Sequence, residues 1–232
     1  MSELDALLQR GDTLVVAAPL DATLTILERC SGAPPKAALI VDVASVKAPL
    51  LPFVARLAGF VPTHPLAGAE QSGPAASRDD LFIGRPWAYV PSGDPLLEGR
   101  VLQFIRAMGA EPFAVEAERH DRIVALTSHV PQMLSTVLGA TLGAREEPLL
   151  SELHGPGLES MVRLARSAWP MWRPVVKANA PLIAEGLRRI AEAIDAVAAN
   201  VEADDDGALE AWFEQANRFV KRLDAGRSDL RR

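Results

Sequence analysis

Ala38-Leu39-Ile40-Val41-Asp42-Val43 is an apolar run broken only by one carboxylate near its end. Six residues are too few for a stable helix. A run apolar on both faces suits a strand covered on both sides, the environment of a parallel sheet. Working outward, Thr13–Ala18 repeats the pattern and is stopped by Pro19, while Asp21–Arg29 between the two runs has helical spacing. Pro49–Leu57 reads as another helix and Phe60–Thr63 as a third strand. Trp87–Val90 and Pro112–Val115 read as later strands, with Leu96–Met108 as the helix between them. Strands alternating with helices predict an α/β fold built on a parallel, doubly wound sheet.

From Glu116 onward strand signals vanish, and helical spacing fills Glu118–Leu142, Leu158–Trp169, Val175–Val201 and Ala208–Leu223. The prediction is a Rossmann-like α/β domain over residues 1–115, opened by an amphipathic helix at Met1–Arg10, and an all-helical domain over 116–232. Asp204-Asp205-Asp206-Gly207 reads as the turn into the last helix. The sheet is expected to be partial. A doubly wound nucleotide-binding domain opens with a strand, a glycine-rich turn and a helix whose N-terminus takes the pyrophosphate. No G-x-G-x-x-G occurs in the 232 residues. The chain is therefore expected to start about 60–70 residues inside such a domain, the length of two βα units.

Composition narrows the function. With 49% hydrophobic and 23% charged residues the chain can bury a core, and its net charge of −6, with no basic block, argues against a nucleic-acid partner. One cysteine, Cys30, excludes an internal disulfide and fits a reducing compartment. No apolar run reaches the ~18–20 residues of a membrane span, so a cytoplasmic protein without a membrane partner is expected. His64, His120, His129 and His154 lack the paired spacing of a zinc site, and no P-loop or G-x-S-x-G is present.

Chemistry concentrates in His64-Pro65-Leu66-Ala67-Gly68-Ala69-Glu70-Gln71-Ser72-Gly73. This order sets an imidazole at the end of a strand, stops the strand with proline and frees the backbone with two glycines. A histidine held at a sheet rim can accept a proton near neutral pH. Ser45, in Asp42-Val43-Ala44-Ser45-Val46-Lys47, leaves the carboxyl end of the second strand and is expected to face the same crevice. The competing reading is a helix-capping serine beside a solvated Lys47. Glu70 reads as a partner for a cation across the cleft or as an exposed loop carboxylate. Asp121, Ala125, His129 and Gln132 share one helix face by their spacing, and Pro131 bends that helix, so the polar stripe is expected to line a pocket. Arg163 could hold a carboxylate in bidentate fashion or form an interdomain salt bridge. Trp169, Met171 and Trp172 suit core or interface, and Asn179 a cap or bridge to backbone.

Together TLVVAAP (13–19), DVASVK (42–47), HPLAGAEQSG (64–73), HDRIVALTSHVPQ (120–132), the arginine of GLESMVRLA (157–165), MW (171–172) and Asn179 resemble the prephenate/arogenate dehydrogenase family of tyrosine biosynthesis. The resemblance implies a nucleotide-binding domain followed by a helical domain that forms a homodimer. It also implies oxidative decarboxylation of prephenate, or of arogenate, with NAD or NADP. His64 would accept the C4-hydroxyl proton, and Ser45 would hydrogen-bond His64 near the nicotinamide. His129 and Arg163 would hold substrate carboxylates, with Ser128, Gln132 and Trp172 beside them and Glu70 acting electrostatically. Ala18, Pro19, Leu20, Ser45 and Lys47 would face the cofactor, and no metal is implied. Ala69 and Ser160 depart from the family pattern, which often has a hydroxyl donor and an aspartate there. The missing glycine-rich turn leaves a second reading, a non-catalytic homologue that binds an aromatic-pathway metabolite or a partner.

Overall fold

The computed structural model describes residues 11–68, 77–145 and 147–229. The helix expected at Met1–Arg10 and the loop position Glu70 lie outside them. β1 (Thr13–Val16), β2 (Leu39–Asp42) and β3 (Phe60–Val61) pair in parallel in that order, with α1 (Leu20–Gly32) as the crossover between the first two. Every residue of β2 is buried, as its apolar run requires. Its side chains alternate between two cores. Ile40 packs with Leu27, Leu50, Leu57 and Phe60 on one face, whereas Leu39 and Val41 pack with Val61, Trp87, Val101 and Ile105 on the other. A strand feeding two cores is what a sheet covered on both faces produces.

Beyond β3 the pairing departs from expectation. β4 (Thr63–Pro65), β5 (Pro86–Tyr89) and β6 (Glu111–Ala114) form a second sheet in which β4 and β5 run antiparallel and β5 and β6 parallel. The Val90 N–H donates to the Pro62 carbonyl at 2.9 Å and links the two sheets. Parallel neighbours need a helical crossover. The described part of the 66–85 connection carries no helix, so the chain turns back beside the strand it has left. His64 consequently sits inside the antiparallel strand β4, opposite Ala88, and not at the end of a parallel strand as expected. α3 (Pro95–Ala107) supplies the crossover from β5 to β6; Asp94 caps its Leu96 N–H at 2.9 Å, with Pro95 in the first turn. The helix expected at Pro49–Leu57 shrinks to a 3-10 turn (Ala48–Leu50) and one α-turn, α2 (Leu51–Val54). Pro49 and Pro52 lack N–H groups, so each fits only a first turn.

One rod follows, made of α4 (Ala117–Val124), a π-turn (Ala125–His129) and α5 (Val130–Gly143). Pro131 cannot donate to the turn before it, and the wider π-turn absorbs that loss. By length and composition the rod could cross a membrane. Its Asp121 carboxylate, however, accepts the backbone N–H groups of Lys47 at 2.7 Å and Ala48 at 2.8 Å, which makes it a core helix of this body. α6 (Pro156–Val162), a 3-10 turn (Arg163–Arg166), α7 (Trp169–Ala178), α8 (Ala180–Glu202) and α9 (Asp206–Asp229) complete the chain. The chain divides into two compact units between Ile183 and Ala184. The boundary expected near residue 115 falls inside the first unit, which also holds α4 to α7. In the second, Asp204 takes a left-handed conformation (φ 54°) in the turn joining α8 to α9.

Candidate active site

Asp42 organises the carboxyl end of β2. Its Oδ2 accepts the Ala44 N–H and its Oδ1 the Thr63 N–H, both at 2.8 Å. The Lys47 ammonium donates to Asp42 Oδ2 and to the Thr63 carbonyl, and the Thr63 hydroxyl donates to the Asp42 carbonyl. Lys47 is only 1% exposed, and burial pushes its pKa down against the attraction of Asp42. The network closes Val43–Lys47 into a pinned loop with half-buried Ser45 near its tip, and fixes Thr63 just before His64. This corrects two expectations. Lys47 is neither solvated nor presented to a cofactor; it is the cation that holds the loop shut. Leu20 likewise puts its side chain into the core, while Ala18 and Pro19 occupy the turn after β1.

His64 is half-buried, with its Nδ1 2.9 Å from His120 Nε2. His120 Nδ1 lies 2.8 Å from Asp121 Oδ1. The expected Ser45–His64 hydrogen bond is not formed among the described residues; the His64 Nδ1 faces His120 instead. Burial holds the His64 pKa well below the ordinary 6.5, reinforced by the Lys47 charge and by any positive charge taken up by His120 or His129. The imidazole is therefore kept neutral and able to accept a proton.

Asn179 ties the second histidine to the first. Its Nδ2 donates to the Asp121 carbonyl at 2.9 Å and lies 3.2 Å from His129 Nδ1. The carbonyl requires the amide nitrogen on that side, so His129 Nδ1 accepts and His129 Nε2 carries the hydrogen. That Nε2 is buried without a hydrogen-bond partner. An orphaned buried N–H is rare and marks a place for an acceptor from outside. Trp172 packs edge-on to His129 with ring centroids 5.9 Å apart.

Burial lowers the His129 pKa to about 4 despite the nearby Asp121. The unfolded chain, titrating near ~6.5, binds more protons than the fold below that pH. This contribution to stability is complete above about pH 6.5 and falls by about 3 kcal/mol as the pH drops toward 4. His129→Gln should remove that part of the slope in urea unfolding followed from neutral pH downward; an unaltered slope contradicts the assignment.

The remaining expected residues separate. Gln132 is buried, but it serves as a strut: its amide donates to the Leu164 carbonyl at 2.7 Å and accepts from Ser167 at 3.4 Å. With Ser135 Oγ, which accepts the Ala165 N–H at 3.1 Å, it docks the Arg163–Arg166 turn on α5. Arg163 is exposed at the start of that turn. Ser128 is exposed although its neighbour His129 is buried, since successive helix positions face different ways. His120 was not singled out by sequence as a partner of His64; the His-Asp pair at the head of a long helix was its only signal. Among the described residues no cluster suits a metal ion. The arrangement offers a neutral imidazole able to take a proton, and a neutral imidazole N–H aimed at an acceptor.

Residues 2–111 match the model of the prephenate dehydrogenase nucleotide-binding domain, and residues 116–215 that of the prephenate dehydrogenase dimerization domain. A Streptomyces niveus protein named "Probable prephenate dehydrogenase NovF" is 34% identical over 170 residues, covering 72% of this chain and 47% of the relative. The prephenate dehydrogenase of Lactococcus lactis is 24% identical over 230 residues, covering 96% of this chain and 64% of its own length. The chain thus spans about half to two thirds of these relatives. In fold it is similar to the prephenate dehydrogenase of A. aeolicus in complex with hydroxyphenyl propionate and NAD+ (TM-score 0.83, 22% identity, 93% of this chain and 77% of that one). It is also similar to Synechocystis arogenate dehydrogenase (TM-score 0.80, 21% identity, 94% and 81%). With both of its halves matched by the two adjoining domain models, the chain belongs to the prephenate dehydrogenase family.

Proposed function

We propose that this chain acts in the oxidative decarboxylation of prephenate, or of its amino counterpart arogenate, with NAD or NADP. The observation that carries the reading is the pair of histidines: His64, held neutral, and His129, whose buried Nε2–H lacks an acceptor. His64 takes the proton of the C4 hydroxyl. The His129 N–H donates to a substrate oxygen, with Trp172 walling that side. Arg163, on the turn docked by Gln132 and Ser135, provides positive charge for a carboxylate, and Glu70 tunes the pocket. The Ser45 hydroxyl is presented to substrate and nicotinamide at the carboxyl edge of the sheet. Bound NAD(P) supplies the hydride acceptor. Ala18, Pro19 and Ser45 fit its nicotinamide end, since they lie on turns that leave β1 and β2 at one edge. Buried Lys47 and Leu20 do not fit it, and no glycine-rich turn for the pyrophosphate occurs in the sequence. Aromatisation of the ring drives the reaction, so the protein mainly positions groups and manages charge. NAD+ in the A. aeolicus neighbour favours NAD.

The proposal includes a homodimer formed through the helical part. The dimerization-domain match supports it, as do the apolar side chains on α9, where Phe213 is 72% exposed and Phe219 and Val220 are half exposed. A cytoplasmic location, without nucleic-acid or membrane partners, accords with the acidic composition and the lone cysteine. Titration calorimetry of the full chain with prephenate, with arogenate and with NAD+, followed by an assay for reduced nicotinamide, tests the reading. Binding of one of the two cyclohexadienes with turnover is the expected result. Absence of binding to both sinks it, and binding without turnover leaves a ligand-binding protein.

A further inference from the structure

Resting on the reading of His64 as the proton acceptor, we propose that His120 and Asp121 are positioning residues for it. The chain Asp121–His120–His64 fixes the Nδ1–H tautomer of His64 and leaves its Nε2 lone pair facing the substrate side. Neither residue has a role in the mechanism above, and both are almost fully buried, His120 at 3% exposure and Asp121 at 2%.

The argument starts at the carboxylate. Asp121 Oδ1 accepts the Lys47 N–H at 2.7 Å and Oδ2 the Ala48 N–H at 2.8 Å. Both of these partners can only donate, and of a carboxyl facing an imidazole the carboxyl is ordinarily the stronger acid, so the proton between them sits on the ring and Asp121 acts as acceptor alone. His120 Nδ1, 2.8 Å from Oδ1, must then carry a hydrogen. A neutral His120 presents a lone pair at Nε2, and the 2.9 Å contact with His64 Nδ1 is satisfied only if His64 donates. With both rings neutral, the hydrogens can be ordered in one way only. The order ends on an unprotonated His64 Nε2. An imidazole without such a partner would populate both tautomers and turn about its Cβ–Cγ bond.

The same chain serves the charged state. When Nε2 takes the substrate hydroxyl proton, His64 becomes an imidazolium, its Nδ1–H stays on His120, and the Asp121 carboxylate lies two hydrogen bonds away. Preorganised acceptors of this kind stabilise charge as it develops. The anchor is stiff because Asn179 holds the Asp121 carbonyl at 2.9 Å while the Lys47–Ala48 backbone holds its side chain.

Ring ¹⁵N spectra of the histidine-labelled full chain test this without cofactor. The chain has four histidines, and loss of one signal set in His64→Asn assigns His64. The expected spectrum shows His64 protonated at Nδ1 and bare at Nε2. His120→Gln, whose amide oxygen can replace the Nε2 acceptor, should keep that state, whereas His120→Phe should yield a tautomer mixture. In turnover, His120→Phe should lower kcat roughly 100-fold with KM little changed, and His120→Gln should recover most of it. An Nε2-protonated His64 in the unsubstituted chain overturns the proposal, as does a tautomer indifferent to His120→Phe. Should His120→Phe fail to fold, the unsubstituted and His120→Gln spectra decide alone. The parent reading fails differently: His64→Asn would then leave turnover intact whatever the tautomer.

Discussion

Replacing His64 with asparagine should lower turnover roughly 10²–10⁴-fold while substrate binding changes little. The substitution is chosen for what it preserves. An asparagine amide nitrogen falls close to the imidazole Nδ1, so a donor toward His120 Nε2 remains, and β4 keeps its register opposite Ala88. Only the far nitrogen is lost, the one that takes the proton. The unsubstituted site carries a linked expectation in pH. The His64 pKa is depressed, so the base is already free at the ordinary value of 6.5. The value of kcat/KM should therefore stay level as the pH falls through that point and decline only below it. Steady-state kinetics across pH on both proteins, with melting temperatures as a folding control, check these statements. Turnover unchanged in the variant removes His64 as the proton acceptor.

Lys47→Met should destabilise the chain by about 3–5 kcal/mol, the usual consequence of removing one partner from a buried ion pair. Methionine fills much of the same space, so the loss reports charge more than volume. The Asp42 carboxylate would stay buried with only the Ala44 and Thr63 N–H groups as partners, and the Thr63 carbonyl would lose its donor. Urea unfolding should show a lower midpoint, and Asp42→Asn added to Lys47→Met should recover part of it, because a neutral amide is cheaper to bury than a lone carboxylate. A midpoint shift of only a few tenths of a kcal/mol, the usual size of a surface ion pair, would mean that the pair is not buried in solution.

The inner strands could be read from the sequence because their signal is local. The β2 run is apolar at neighbouring positions, and its alternate residues do feed two cores. The antiparallel return of β5 could not be read that way: it depends on a connection without a crossover helix, and pairing across it leaves no periodic trace. Lys47 shows the same limit at one residue. A lysine after a serine and a valine looks solvated until the carboxylate five positions earlier is seen to share its burial. His129 and Asn179 were visible as candidates, yet the link between them spans 50 positions. Pro131 announced a distorted helix, but a proline alone does not tell a kink from the π-turn that forms here. His120 was the hardest, since its meaning lies in a ring 56 residues away.

The Asp121 carboxylate has one more consequence. It receives the Lys47 and Ala48 amides from the sheet side and, through His120, orients His64. Docking of the rod on the sheet and readiness of the base are thus one event. A nascent chain that has completed β4 but not yet laid α4 against the 43–48 loop would hold an imidazole with no preferred tautomer. On the proposed reading the base is ordered only once the rod has docked.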